Sequence, residues 1–320
     1  MKAHNEKSIE KIPESAAMGE DESTLYSTER TFDIHHRMAY CYIEPTSTRG
    51  YHAHTFYEIN FILSDEGFHY MGNRIIPARR GDVFVIPPHH RHAYLEKRPD
   101  FRIYNFVLHP RFFETYLPNL QRLPGFSDIF QVEPLLRSTG GGTFSHVVLR
   151  DKRLSEICAR LDALHALDQT SEPATLIAAC EAMTIIALLC EEYGRTALSV
   201  GHTEDAFFAA SLALIFERLA EPLSISLLAE TAHLSRSAYL RRFAQTTGMS
   251  PHRFIRKERI KSAMQLLKRT DMTVARIAEE TGFYDISHFA RIFSVATGCT
   301  PTEYRNNIRK GKADGDGLRK

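Results

Sequence analysis

A helical grammar is stated twice near the C-terminal end of this chain. Ile225–Ala232 is a short amphipathic segment, His233-Leu234 turns the chain, and Ser235 stands where it can cap a second segment, Arg236–Gln245. About fifty residues later the order repeats, with Val274–Thr281, the turn Gly282-Phe283, and Asp285 ahead of Ile286–Thr297. A helix, a short turn and a capped second helix make a helix-turn-helix, whose second helix can enter a major groove. Any helical bundle contains helix pairs, so one copy says little. Two copies bridged by one basic helix are far more specific. Ala229 and Ala278 let the paired helices approach closely. Gly282 supplies the left-handed backbone that a helix exit favours, where the first copy has His233.

A formal net charge of +1 hides a division along the chain. Residues 205–310 carry 16 Lys/Arg against 10 Asp/Glu, a net +6, whereas residues 1–204 carry 21 against 27, a net −6. Arg236–Arg269 is steeper, with ten basic residues and the single acid Glu258. A basic C-terminal part joined to an acidic N-terminal part is the electrostatic footprint of nucleic-acid binding. Charge alone leaves open a merely solvated helix face.

Between Tyr40 and Leu108 the pattern changes to short apolar and aromatic runs divided by turn signals. Tyr57–Leu63 alternates like a half-buried strand, and Phe68–Met71, Ile75–Pro77, Val83–Ile86 and Phe101–Leu108 follow, with a tight turn expected at Gly72-Asn73-Arg74. Many short strands at this spacing indicate a closed or sandwich-like β architecture. From Asp151 the period becomes helical. Leu154, Ile157, Leu161 and Leu164 form one stripe, and Leu176, Ala179, Met183, Ile186 and Cys190 another, broken at Gln169–Pro173. Gly194–Thr203 reads as a linker.

The first thirty residues are polar and acidic, without the apolar region of a secretory signal, and no stretch is expected to have the apolar length that spans a bilayer. Five scattered cysteines, Cys41, Cys158, Cys180, Cys190 and Cys299, include no CxxC pair and read as reduced thiols of a cytoplasmic protein.

Residues Leu223–Arg305 resemble the C-terminal domain of the AraC/XylS family of transcription regulators. The matching stretches are Leu228-Ala229, Ser235 through Arg241 to Phe243, Thr247-Gly248-Met249-Ser250-Pro251, Arg259–Leu267, Ile277–Phe293, and Gly298-Cys299-Thr300-Pro301-Thr302-Glu303-Tyr304-Arg305. The N-terminal part is similar to the cupin-type sensing domain of the same family, especially its sugar-responsive members. It carries His52-Ala53-His54, then Glu58, and later Gly81-Asp82, Pro87 and His92, an order that matches the ligand spacing of metal-binding cupins. The glycine that this pattern places soon after Glu58 comes late, at Gly67, and His89 and His90 compete with His92.

Helical phase assigns the reading surface. With Tyr239 and Phe243 buried, Arg236, Ser237, Leu240 and Arg241 face outward. With Phe289 and Phe293 buried, Ile286, Ser287, His288 and Arg291 do. Arg pairs bidentately with guanine, and Leu or Ile touches a thymine methyl. Two alternatives stay open: Leu240 and Ile286 as partly core, and Arg241 and Arg291 as salt-bridge braces. Lys257, Arg259 and Lys261 fit phosphate contact, with a structural role open for Arg259. In the barrel, His52, His54, Glu58 and His92 read first as an effector pocket, with Phe56, Tyr70 and Phe84 as walls, and second as a site for a divalent transition metal.

The sequence therefore implies an α+β chain of two domains: a cupin-like β-barrel with a helical hairpin, then an all-α double helix-turn-helix. The expected division is a disordered tail (1–30), the sensing domain (31–150), a dimerising hairpin (151–194), a linker (195–204), the DNA-binding domain (205–308) and a second disordered tail (309–320). The implied function is effector-controlled transcription regulation in the cytoplasm, with double-stranded promoter DNA, a carbohydrate effector, RNA polymerase and a homodimer mate as partners. No membrane and no required cofactor are expected. A metal-dependent cupin oxygenase or isomerase would leave the basic C-terminal part unexplained. An architectural DNA binder would leave the barrel unexplained.

Overall fold

The computed structural model describes residues 25–26, 38–45, 50–65, 67–71, 74–96, 101–139, 147–169, 171–200 and 204–308. The expected turn at Gly72-Asn73, the tail at 309–320 and most of 1–30 lie outside them. Within the last of these, Leu25–Tyr26 forms a short strand, β1, where a tail without structure was expected. It pairs in parallel with β3 (Ala53–His54), the strand that bears His54.

Two antiparallel sheets form the N-terminal domain. The larger has the order β10-β7-β4-β9-β2, from Val147–Val148, Asp82–Ile86, Tyr57–Ile62, Arg102–Leu108 and Ala39–Pro45. The smaller has the order β6-β5-β8, from Arg74–Ala78, Gly67–Met71 and His92–Glu96. Alternation along β4 sends its side chains to two different cores. Ile59 and Phe61 join Val83, Val85, Phe106 and Leu108 under the helices, while Ile62 joins Phe84, Ile86 and Ile103 on the opposite face. The central strands are therefore buried on both sides, and one residue of register slip would exchange the two faces.

The hairpin helices α3 (Asp151–Ala166) and α4 (Glu172–Val200) cover the outer face of the large sheet. Leu154, Ile157, Leu161 and Leu164 are buried against it, as are Ala178, Ala182, Ile185, Ile186 and Leu189. Contrary to expectation, one helix among the described residues, Glu172–Arg195, is long and apolar enough by length and composition to cross a membrane. Those buried contacts show where much of its apolar surface goes. α4 also continues through Val200, so most of the segment expected as an irregular linker is helical.

Sequence periodicity missed the helices after β9: α1 (Pro110–Leu120), and a π-helical turn, Asp128–Val132, that runs into α2 (Glu133–Thr139).

The C-terminal domain comprises α5 (Glu204–Glu217), α6 (Ile225–Thr231), α7 (Arg236–Thr247), α8 (Pro251–Arg269), α9 (Val274–Glu280), α10 (Ile286–Thr297) and α11 (301–308). It holds two cores. Phe208, Leu212, Leu228, Tyr239, Phe243 and Phe254 fill the first, and Ile260, Leu267, Ile277, Phe283, Phe289 and Phe293 the second. Both repeat turns take left-handed backbone, at His233 (φ 52°) and Gly282 (φ 81°). The first copy tolerates a side chain, and His233 rests its ring 4.0 Å from that of Phe207. The second does not, since a Cβ on Gly282 would lie 2.6 Å from the Ala220 carbonyl oxygen.

Candidate functional site

The two reading helices are held from their first turns. Ser235 Oγ accepts from the Ala238 amide at 3.3 Å, and Asp285 Oδ1 accepts from the Ser287 amide at 2.8 Å. These caps satisfy backbone donors that the helix itself leaves open. Tyr239, Phe243, Phe289 and Phe293 are fully buried, and Arg236, Ser237, Arg241, Ser287, His288 and Arg291 are exposed, as helical phase predicts. Leu240 and Ile286 are not core: they are 36% and 46% exposed. Among the described residues no carboxylate pairs with Arg241 or Arg291, and both side chains are exposed.

The linker helix α8 sorts its cations. Lys257 is exposed, and Lys261, exposed too, pairs with Glu258 at 2.8 Å. Arg259 is structural: Nε donates to Leu219 O at 2.8 Å, Nη1 to Gly282 O at 2.7 Å and Nη2 to Glu221 O at 2.6 Å. One guanidinium fork thus ties the linker helix to the loop before α6 and to the second repeat's turn, which removes it from the phosphate-contact candidates.

In the barrel, all four candidate residues are buried and converge. Glu58 Oε2 lies 3.3 Å from His54 Nε2 and 3.2 Å from His92 Nε2. The His52 ring is 4.4 Å from that of His92, to whose strand His52 is bridged. His89 is exposed, and it is His92 that meets Glu58. Burial alone would raise the Glu58 carboxyl, yet the His54 and His92 imidazoles hold it well below its ordinary value. Burial, reinforced by His92, pulls His52 down to about 4, so His52 is neutral near neutrality.

Tautomers follow from the acceptors. His54 Nδ1 faces Phe56 O at 2.7 Å and His52 Nδ1 faces Gly50 O at 2.9 Å. A carbonyl only accepts, so both Nδ1 atoms carry protons. A neutral His54 of that tautomer turns its Nε2 lone pair toward the Glu58 carboxylate. The contact is favourable when a proton or a metal cation sits between the imidazole and Glu58. His52, Glu58 and His92 offer ligand atoms within 4.8 Å of one another. Of these, His52 has behind it the backbone carbonyl that orients many metal-binding histidines through Nδ1. The donor set therefore fits a divalent transition metal.

Sequence reading missed a second polar row beside this cluster. Tyr94 Oη donates to Asn60 Oδ1 at 2.9 Å, and Asn60 Nδ2 donates to Asn105 Oδ1 at 2.7 Å. His69 stacks on Tyr94 with ring centroids 4.6 Å apart. Asn60 lies two residues from Glu58, and His69 two from Met71, which pairs with His92 in register. Strand periodicity counted from Glu58 and His92 could have found both. The same alternation corrects Tyr70. It sits between buried His69 and Met71 on the opposite face of β5, half-exposed, and is no wall of the interior. Phe56 and Phe84 are buried, Phe56 stacked on His54 at 4.5 Å and Phe84 beside His69 at 4.6 Å.

Comparison with known proteins gives the family of each domain. Residues 39–186 match the AraC-like ligand binding domain family, and residues 228–307 match a helix-turn-helix domain family. The HTH-type transcriptional activator RhaR of Pectobacterium carotovorum is 31% identical over 265 residues, covering 80% of this chain and 86% of its own length. RhaR of Klebsiella pneumoniae is 27% identical over 266 residues, covering 83% of this chain and 90% of its own length. An AraC-type regulator structure from Chromobacterium violaceum shares 27% identity over 32% of this chain and 91% of its own, with a TM-score of 0.31.

Proposed function

The chain belongs to the AraC/XylS family of transcription regulators, and on that premise we propose that its barrel takes a small polyhydroxylated metabolite, a neutral sugar, whose binding sets the affinity of the double helix-turn-helix for promoter DNA. One observation carries the reading. The barrel interior brings His52, His54, Glu58 and His92 together beside Asn60, Asn105 and Tyr94, amid Phe56 and Phe84. A few fixed donors and acceptors against aromatic walls suit a ligand rich in hydroxyls and poor in charge. The relatives' description as transcriptional activators supports activation over repression. RNA polymerase is then the downstream partner, the chain works in the cytoplasm, and it is a regulator and not an enzyme.

The test is calorimetry with a panel of neutral aldoses, on wild type and His54→Ala, paired with DNA-binding titrations. Sugar binding by wild type alone, with equal DNA affinity of the two proteins in the absence of sugar, supports the reading. Equal binding of the same sugar by both proteins places the pocket elsewhere.

A second reading rests on the ligand atoms of His52, Glu58 and His92, which lie within 4.8 Å of one another, with His54 beside Glu58. His52, His54, Glu58 and His92 would hold a divalent transition metal, which would supply a Lewis-acidic anchor for vicinal hydroxyls. Calorimetry with Zn²⁺, Ni²⁺ or Co²⁺ separates the two readings: metal uptake that sugar binding requires supports the metal, and sugar binding in chelator removes it.

Homodimerisation falls to α4. Leu161, on the stripe first expected to dimerise, is fully buried against the barrel, whereas Leu176 and Ile177 are 59% and 52% exposed. Sedimentation should therefore show Leu176→Asp as a folded monomer, and a wild type already monomeric at micromolar concentration contradicts the proposal.

A further inference from the structure

α2 belongs to two cores at once. On one side Arg137, fully buried, reaches into the N-terminal domain. Its Nη2 donates to Val85 O on β7, its Nη1 lies 3.1 Å from His69 Nδ1 on β5, and its guanidinium carbon sits 5.3 Å from the centre of the Phe84 ring. Arg137 thus spans the seam between the large and small sheets. Its charge is met one turn earlier on the same helix, where Glu133 Oε1 lies 2.9 Å from Nε. A guanidinium has no acceptor, so His69 Nδ1 accepts and the His69 proton sits on Nε2. His69 in turn lies beside Tyr94 and, 6.0 Å away, His92, both of the barrel site.

The other side of this segment is in the DNA-binding domain. Val132 and Leu136, each 2% exposed, pack with Phe208, Leu228, Tyr239 and Phe243 in the first repeat's core. α2 lies against the reading helix α7, and the π-helical turn lies against α5. Leu136 and Arg137 are consecutive, so a rotation or shift of one short helix moves both together. The core of the second repeat is built from residues after Lys257 and takes nothing from α2. A π-helical turn inside a helix is a feature found often at functional sites. A buried arginine is weak evidence for stability, since desolvation offsets much of its pairing energy, and a specificity or switch role is the better-attested reason to retain one.

We propose that α2 couples the barrel to the first reading helix and not to the second, with Arg137 as its barrel-side contact and Leu136 as its DNA-side contact. This rests on the barrel being the effector site. Occupancy that reorders His69 and Tyr94 shifts Arg137, and with it the placement of α7 relative to α10. Regulation then acts on the first half-reader and on its placement relative to the second.

Hydrogen exchange of the full chain, read by mass spectrometry without ligand, tests the coupling. His69→Ala perturbs the barrel side. It should speed exchange across Glu133–Thr139 and Arg236–Thr247 by about two- to thirty-fold, the range of couplings carried by packed networks, and leave Ile286–Thr297 unchanged. Glu133→Gln/Arg137→Met removes both buried charges together, so the variant folds without an orphaned ion. In that background His69→Ala should no longer affect Arg236–Thr247. Three results overturn the proposal: no response at Arg236–Thr247, an undiminished response in the double-variant background, or an equal response at Ile286–Thr297. The effector reading fails separately, when wild type takes up no sugar in calorimetry although the His69→Ala response is present.

Discussion

Replacing Arg259 by Ala should destabilise the C-terminal domain without weakening its hold on phosphate. The guanidinium makes three hydrogen bonds to carbonyls, at 2.8, 2.7 and 2.6 Å, on two segments that are otherwise far apart in sequence. A bond from a charged donor contributes roughly 1.5–3 kcal/mol, but water reaches the half-exposed side chain and re-solvates the freed carbonyls. About half of the gross sum survives that discount, or about 2–4 kcal/mol, a large share of a domain stability of about 5–15 kcal/mol. Urea unfolding followed by far-UV circular dichroism should show the loss as a lower midpoint. Titrations on random-sequence DNA, at a temperature where the variant is folded, should give an unchanged dependence of log affinity on log salt. An unchanged urea midpoint, together with a salt slope smaller by about 0.9, would mean that Arg259 contacts phosphate and does not brace the domain.

Arg241→Ala and Arg291→Ala should each cost about 1–3 kcal/mol on the cognate site and little on random DNA, whereas Lys257→Ala should weaken both alike, by gel shift at fixed salt; equal losses on both DNAs remove base reading by the arginines. Asp128 should impose a pH-dependent penalty, because burial and then the neighbouring Glu217 raise its carboxyl from 3.8 to about 6. The folded chain holds that proton more tightly than the unfolded one, so this term lowers stability as pH rises from about 4 to 6 and stands in full above 6. Asp128→Asn should therefore stabilise by about 1–2 kcal/mol at pH 7.5, discounted for partial exposure, and not at pH 4, by urea unfolding at the two pH values. Leu161→Asp should prevent folding, read by circular dichroism, since its side chain lies in the core beneath the large sheet.

What the sequence made legible was whatever local chemistry determines. Ser235 and Asp285 cap where they stand, Gly282 turns where only glycine fits, and alternation along Tyr57–Ile62 places Glu58 on the inner face. His52, His54, Glu58 and His92 were found because a resemblance fixed their order. The polar row was missed for lack of such an order: Asn60 and Asn105 meet across a strand pair 45 residues apart in the chain. Arg137 was missed for a related reason. A short helix after a π-helical turn has little apolar period of its own, and its burial depends on two domains meeting around it. Gly194–Thr203 shows the opposite error. Its small polar residues lower helix propensity, yet the long α4 carries the helix through Val200.

Sequence-specific recognition is decided by the affinity of the protein for DNA from upstream of its own gene, compared with a shuffled sequence of equal length at the same salt. Two exposed reading helices on one basic module predict a specific site bound about 10³-fold or more tightly than the shuffled DNA, with major-groove protection at two positions about one helical turn apart. Equal affinity for both sequences, or a specific site protected in one groove only, would contradict it.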